Sequence, residues 1–207
     1  MTEYIVPGNI DDRILSRTVK ILEGGGVAAL PTDTSWSIVC SMKSWDGIKK
    51  LRRLSGRRDE EHFTLLCSDI SQFGELCHFD NTRFRLIKRL TPGPYVFVLK
   101  TLLGTGKILG LRRQEIGIRL PDYPVPISLI GALGCPLYSV TAKKDMEKYS
   151  EYEEESLFEG GWELEAINDL DLILDTGESR NRIFSTVLDM REGEVELIRQ
   201  GAGEWPV

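Results

Sequence analysis

The sequence contains few of the residues that hold zinc sites or disulfide frameworks together. It has four cysteines and two histidines in 207 residues, and the cysteines are scattered without a C-x-x-C pair. Both kinds of site need cysteines or histidines clustered at characteristic spacings. The sequence therefore predicts neither a metal site of this type nor a disulfide scaffold.

Long apolar runs are also missing. No stretch approaches the roughly 18 apolar residues that a membrane-spanning helix needs. The first residues, MTEYIVPGNIDD, have neither the charged-then-apolar pattern of a signal peptide nor the composition of a transit peptide. We therefore expect no membrane association and a cytoplasmic location. The apolar content of 41% and charged content of 28% are ordinary for a globular protein.

Acidic residues are concentrated in one late segment. Residues 145–171 contain 11 acidic residues and one basic residue, whereas the whole chain has a net charge of −6. The other 180 residues therefore carry about +4, and a mildly basic body can bind a polyanion. The acidic segment is either a solvated surface insertion or a lid that repels phosphate-bearing molecules from one rim of a site.

Apolar periodicity and capping residues predict a mixture of helices and strands. Helices are expected from about residue 10 to Gly24, from Ser44 to Gly56, over 80–90 and from Pro124 to Leu133. Strands are expected at 27–30, 35–40, 63–67, 95–101, 116–120, 136–140, 170–175, 184–190 and 194–199. Because helices and strands do not alternate strictly, we expect one α/β or α+β domain, over 1–207, with a large mixed sheet.

The stretch GGGVAALPTDTSWSIVC, residues 24–40, has an unusual turn. Pro31, Thr32, Asp33 and Thr34 separate two apolar runs, where a simple hairpin would use Asn-Gly or Asp-Gly. Their hydroxyls and carboxylate both form hydrogen bonds readily. These groups either satisfy their own backbone or bind a ligand, and the turn alone does not decide between the two.

Several further stretches follow this turn in a characteristic order. They are HFTLLCSD (62–69), LTPGPYVFVLK (90–100), IGIRLPDYP (116–124), GCPLYSVTAKK (134–144), DLILDTGES (171–179), FSTVLDM (184–190) and IRQGAG (198–203). In order and spacing they resemble the YrdC-like domain family, which includes the threonylcarbamoyl-AMP synthases and their YciO-type relatives. HFTLLC and TPGPYVFVLK are more similar to the YciO-type branch.

The resemblance implies a single domain around a concave, positively charged cavity. It also implies an ATP-dependent reaction, with ATP as substrate together with Mg²⁺. L-threonine and bicarbonate form a carbamate that attacks the α-phosphorus of ATP, which yields threonylcarbamoyl-AMP and pyrophosphate for tRNA modification. Members of the family are also described as binding double-stranded RNA, and a basic concave surface would permit this.

The family pattern assigns roles to particular residues. Phosphoryl-centred chemistry needs cationic groups and hydroxyls that hold a triphosphate in line. The resemblance places Thr32 and Thr34 at the amino acid and the nucleotide, and Arg119, Ser185 and Arg199 at the phosphates. Thr64 and Ser139 supply further hydroxyls for binding. Arg58, Thr141 and Lys143 occupy the positions of catalytic residues.

Two catalytic motifs of the synthases are altered here. Their K-x-R lysine falls on Gly56, or on Ser55 if the register shifts by one, and their S-x-N becomes Thr141 and Lys143. Losing one cationic partner of a transition-state phosphate costs about 3 kcal/mol. We hypothesise that Lys143 restores the missing charge from the opposite wall of the site.

Three interpretations follow from the sequence. The protein is a threonylcarbamoyl-AMP synthase-type enzyme, active or attenuated, or a non-catalytic relative that binds nucleotide or RNA. The third is an unrelated fold that matches these motifs by chance. For Arg119 the identity of the partner is open, since a buried acidic residue would neutralise its charge as well as a phosphate would.

Overall fold

The computed structural model describes residues 1–56, 63–102, 114–146 and 153–205. Within these ranges, eleven strands form one mixed sheet in the order β1-β9-β2-β3-β8-β4-β7-β6-β10-β11, and β5 pairs with β6. The strands are β1 (Thr2–Tyr4), β2 (Ala28–Pro31), β3 (Trp36–Ser41), β4 (Thr64–Leu66), β5 (Cys77–His78), β6 (Tyr95–Thr101), β7 (Glu115–Arg119), β8 (Leu137–Thr141), β9 (Leu172–Asp175), β10 (Thr186–Asp189) and β11 (Glu196–Arg199). The helices are α1 (Asp12–Glu23), α2 (Trp45–Leu54), α3 (Ser71–Leu76), α4 (Asn81–Leu90) and α5 (Pro124–Leu133).

Local capping chemistry explains where the longer helices begin and end. Asp11, Ser44 and Asp80 each accept a hydrogen bond from a backbone N–H in the first turn of α1, α2 and α4. Gly134 ends α5 in the left-handed conformation, with a φ of 68°. Every predicted helix and strand is present, so the predicted fold class is confirmed. Five elements were not predicted from the sequence: β1, α3, β5 and two short 3₁₀ helices (Glu154–Ser156 and Gly161–Ala166).

Successive side chains along each strand face opposite sides of the sheet. One face, which includes Trp36, Ile38, Phe97 and Ile118, packs in the same core cluster as residues of α2, α3 and α4. The other face is covered only in part. Leu30, Val39, Leu137 and Leu172 pack there with residues of α1 and α5. The half of this face that belongs to β4, β7, β6 and β10 lies beside a cavity.

The acidic segment contributes to the core in its described part. Leu157, Phe158 and Leu164 are buried. The backbone of Lys143 forms an isolated antiparallel bridge with Leu157, and Trp36 Nε1 donates to the Glu159 carbonyl at 3.4 Å. These residues therefore pack on the sheet as well as carrying surface charge.

In the ranges that the structure describes, every helix is too short or too polar to cross a membrane.

Candidate functional site

The candidate site is a polar cavity on the partly covered face of the sheet. Hydroxyl side chains from neighbouring strands meet there, because Ser37 pairs with Thr141, and Thr64 pairs with Ser139. Thr64 also pairs with Gly117 on its other side. A Cβ at Gly117 would lie 3.1 Å from Val96 Cγ1 and 3.4 Å from Thr64 Oγ1. The absence of a side chain at residue 117 therefore keeps the floor of the cavity open.

The cavity brings together most of the residues that the sequence nominated. Its volume is about 230 Å³. The nominated residues that line it are Thr64, Arg119, Ser139, Thr141, Lys143, Ser185 and Arg199. Thr32 and Thr34 are buried behind this lining, and Arg58 lies outside the described residues. Three cationic side chains and one carboxylate, Glu115, are among the lining residues, so the described lining has an excess of positive charge.

Arg119 links three separate parts of the chain. Its Nη1 donates to Ser185 Oγ at 2.6 Å and to Thr34 Oγ1 at 3.1 Å, and its Nη2 forms an ion pair with Asp33. Its Nε donates to the Gly93 carbonyl at 3.4 Å. Burial lowers the pKa of the Arg119 guanidinium, and the nearby Asp33 carboxylate opposes that shift. The buried acidic partner considered as an alternative for Arg119 is therefore present.

The contact between Arg119 and the Thr32–Thr34 turn joins two distant positions of the sheet. Leu66 pairs with both Arg119 and Leu137, and Leu137 pairs with Ser41. Arg119 is thus level with the end of β3 that is remote from the turn. The Arg119 side chain nevertheless reaches Asp33 and Thr34 of the turn.

The hydroxyl of Thr32 is used within its own turn. It donates to the Ser35 carbonyl at 2.7 Å and accepts from the backbone N–H groups of Thr34 and Ser35 at 3.2 and 3.3 Å. This is the self-satisfied turn that the sequence left open as one interpretation. The direct contact of Thr32 and Thr34 with amino acid and nucleotide stays a prediction.

Arg199 supports the same wall as Ser185. Its Nε and Nη2 donate to the Ser185 carbonyl at 3.0 and 2.8 Å, and its guanidinium lies 5.1 Å from the centre of the Phe184 ring. These contacts fix the guanidinium of Arg199 in the wall of the cavity.

Lys143 also lines the cavity and is 4% exposed. Its backbone is held by the bridge to Leu157, and its N–H lies 3.1 Å from Met146 Sδ, which also lines the cavity. Ser55 lines the cavity, whereas Gly56 does not. The hypothesis that Lys143 replaces the charge lost at residue 55 or 56 is therefore compatible with the placement of these residues.

The sequence analysis missed several lining residues. Ser37 alternates with the buried Trp36 and Ile38, and this alternation was the signal that would have found it. Other lining residues that the sequence did not nominate include Glu115, Gly117, Met146 and Phe184. In the described ranges, no three His, Cys, Asp or Glu side chains lie close enough together to hold a metal ion.

Comparison with known proteins identifies the class of this cavity-bearing fold. The model of the Sua5/YciO/YrdC family, which carries the description "Telomere recombination", matches residues 20–201. The chain therefore belongs to this family, which confirms the resemblance inferred from its motifs.

The individual relatives indicate the branch. The chain is 31% identical over 202 residues to "Uncharacterized protein YciO" of Escherichia coli K12, covering 97% of this chain and 95% of that protein. The crystal structure of E. coli YciO matches with a TM-score of 0.79 and 28% identity, over 99% of this chain and 97% of that one. Threonylcarbamoyl-AMP synthase of Mus musculus is 29% identical over 189 residues, covering 90% of this chain and 66% of that protein.

A structure of P. abyssi Sua5 complexed with L-threonine has the same fold. Its TM-score is 0.83 at 19% identity, and the match covers 97% of this chain and 57% of that one. The present chain is thus a member of the family nearer to YciO, with synthases as more distant relatives.

Proposed function

We propose that this protein binds ATP in the polar cavity and catalyses a reaction of the threonylcarbamoyl-AMP synthase type at a reduced rate. The observation that carries this proposal is the convergence of hydroxyls from Thr64, Ser139 and Thr141 with Lys143 and Arg199 in one recess. Hydroxyls and cations that are fixed before the ligand binds are what stabilise charge in phosphoryl-centred reactions.

The reaction conserves atoms without a redox partner. L-threonine and bicarbonate condense to N-carboxy-threonine with loss of water. A carboxylate oxygen of this carbamate then bonds to the α-phosphorus of ATP, and the bond from that phosphorus to the pyrophosphate oxygen breaks. The products are threonylcarbamoyl-AMP and pyrophosphate. Tying the product to tRNA modification is part of the same proposal, supported by the relationship to named synthases and by the L-threonine bound in one Sua5 structure.

A magnesium ion would depend largely on ATP for its ligands. Mg²⁺ is commonly held by one or two carboxylates together with substrate phosphates. Glu115 is the carboxylate among the described lining residues, and Arg191 Nη1 already contacts its Oε2 at 2.6 Å. The expected role of the ion is to neutralise charge on the β- and γ-phosphates.

Two features favour a slow enzyme over a fast one. The cavity of about 230 Å³ is smaller than the about 300–1,000 Å³ typical of ligand pockets, so a nucleotide would extend beyond it. The lysine position of the synthases is Ser55 or Gly56 here, so catalysis depends on Lys143 for the missing cation.

The direct test is pyrophosphate release from ATP in the presence of L-threonine and bicarbonate. We expect release that requires all three substrates, and a loss of about 10- to 1,000-fold in Lys143→Asn, because one cation near the phosphates is removed. Lys144→Asn is the matched control, since Lys144 is half-exposed and pairs with Glu163. Equal rates in the two variants would contradict the assigned role of Lys143.

The engagement of Arg119 by Asp33 favours a second candidate, a non-catalytic relative that binds nucleotide or RNA. Titration calorimetry with ATP, with and without L-threonine, separates the two. Mutual strengthening of the two ligands supports the enzyme. RNA binding without heat from ATP supports the non-catalytic relative, provided that it persists at raised salt, because any basic groove retains RNA at low salt.

A further inference from the structure

The hydrogen bonds around Arg119 have directions that can be assigned from donor counts. An arginine has five N–H donors and no acceptor. The two hydrogens of Arg119 Nη1 are donated to the hydroxyls of Thr34 and Ser185. Its Nε–H is donated to the Gly93 carbonyl, and one hydrogen of Nη2 is donated to the Asp33 carboxylate. Within the described residues this leaves one Nη2 hydrogen without a protein acceptor.

The hydrogen bonds between Arg119 and the Thr32–Thr34 turn also have directions that can be assigned. The single hydroxyl hydrogen of Thr32 is used on the Ser35 carbonyl. In the contact of 3.2 Å between the two threonine hydroxyls, Thr34 must therefore donate to Thr32. Because the Thr34 hydroxyl hydrogen is donated to Thr32, Thr34 Oγ1 can only accept from Arg119. The chain of donors therefore leads from Arg119 to Thr34, from Thr34 to Thr32 and from Thr32 to the Ser35 carbonyl.

Ser185 is oriented by the same arginine. Its Oγ accepts from Arg119 Nη1 at 2.6 Å, so its own hydrogen remains to donate, and no described protein group accepts it. Ser185 and Arg119 both line the cavity, whereas Asp33 and Thr34 do not. The Ser185 hydroxyl hydrogen is therefore a donor on the cavity wall, held in place by Arg119.

We propose that Asp33 is a positioning residue that fixes the Arg119 guanidinium, so that Arg119 in turn holds the Ser185 hydroxyl ready to donate to an anionic group of the ligand. Asp33 itself makes no contact with that ligand. The side chains of Asp33 and Arg119 are 12% and 5% exposed, so the ion pair is shielded from solvent. Because this pair is neutral overall, Arg119 acts on the ligand through hydrogen bonding and not as a net charge.

The kinetic part of this inference rests on the proposed function, and its structural part does not. A group that orients a binding residue changes KM for the ligand that the residue touches. A loss of folded protein lowers the apparent kcat and leaves KM unchanged. The two effects can therefore be separated in one set of variants.

The variants are Asp33→Ala, Asp33→Asn and the control Asp122→Asn, in which an exposed carboxylate close to Arg119 in sequence is changed. In Asp33→Ala we expect KM for either ATP or L-threonine to rise about 10- to 100-fold. Asp33→Asn should show a smaller rise, because its amide oxygen can still accept from Nη2. The substrate whose KM rises is the one whose anionic group lies at Arg119. Unchanged KM for both substrates in a folded Asp33→Ala variant would overturn the proposal.

Arginine labelling provides a readout that needs no turnover. Phenylglyoxal should modify Arg119 slowly in the wild type, with the 92%-exposed Arg13 as internal reference in peptide mass spectrometry. In Asp33→Ala the relative rate at Arg119 should rise about 10-fold or more, with Asp33→Asn in between. If Asp33→Ala does not fold, Thr34→Val and Thr34→Ser replace it, with faster labelling expected only in Thr34→Val.

The two readouts distinguish the two proposals. Faster labelling of Arg119 in Asp33→Ala than in a wild type without pyrophosphate release would contradict the proposed function and support the role of Asp33 in holding the arginine. Rapid labelling of wild-type Arg119, or equal labelling in every variant, would overturn that role whatever the turnover.

Discussion

One face of the sheet has two halves with opposite chemistry, and β8 runs through both. Its residues Leu137, Ser139 and Thr141 share that face. Leu137 packs in the cluster that includes residues of α1 and α5, whereas Ser139 and Thr141 line the cavity. The change from an apolar to a hydroxyl side chain coincides with the edge of helical cover. In the covered half the residues on this face stabilise the fold, and in the open half they are available to a ligand.

The largest effect is expected in the covered half. Leu137→Ala should reduce the free energy of unfolding by about 2–5 kcal/mol, because Leu137 is fully buried and its loss leaves a cavity. Chemical denaturation measures this change. ATP affinity of the folded variant should stay within about 3-fold of wild type. A larger loss would contradict the claim that residues of the covered half do not take part in ligand binding.

Filling the floor of the open half should affect binding more than folding. In Gly117→Val, the new side chain would crowd Val96 and Thr64 and occupy the cavity. We expect about 1–3 kcal/mol of destabilisation from overpacking and a loss of measurable ATP binding by calorimetry. Normal ATP affinity in a folded Gly117→Val protein would place the ligand elsewhere.

A hydroxyl in the open half should matter little for stability. Ser139→Ala removes one donor from the lining and should weaken ATP binding by about 1 kcal/mol, roughly 5-fold. Thermal unfolding should change by only a few degrees. Ser71→Ala, at the exposed first residue of α3, is the comparison variant and should leave ATP affinity unchanged. If Ser139→Ala lost much stability but kept full ATP affinity, Ser139 would have to be assigned to folding and not to ligand binding.

Acidic pH should reduce the stability of the fold through Asp189, which lies at the rim of the open half. Hydrogen bonds from Arg191 lower the pKa of the Asp189 carboxyl. Because the folded value is the lower one, this group stabilises the fold above its unfolded pKa of about 3.9, and the contribution is lost as pH falls through the folded value. The difference in thermal stability between wild type and Asp189→Asn should therefore be constant near pH 7 and shrink below about pH 4. A constant difference down to pH 2 would contradict this.

Local signals in the sequence predicted the elements well. Ser44, Asp80 and Gly134 act within their own turns, so short-range patterns locate the ends of α2, α4 and α5. The strand β1 and helix α3 were missed because they have three and six residues, too few for a periodic pattern.

The site was predicted less completely, for reasons of distance. Family motifs nominated Arg119 and Ser185, but the ion pair between Arg119 and Asp33 joins residues that are 86 positions apart. That contact joins β7 to a turn between strands that are not its neighbours in the sheet, and no local pattern contains this information. Gly117 was missed because its role depends on which strands are neighbours, and only the pairing of β4 with β7 reveals it.

The most direct test of this account is a crystal structure of the protein with a non-hydrolysable ATP analogue and L-threonine. The account predicts ligand density in the recess bounded by Thr64, Ser139 and Ser185, with Arg119 still paired to Asp33. Density for both ligands at another surface, with this recess occupied by water, would contradict it.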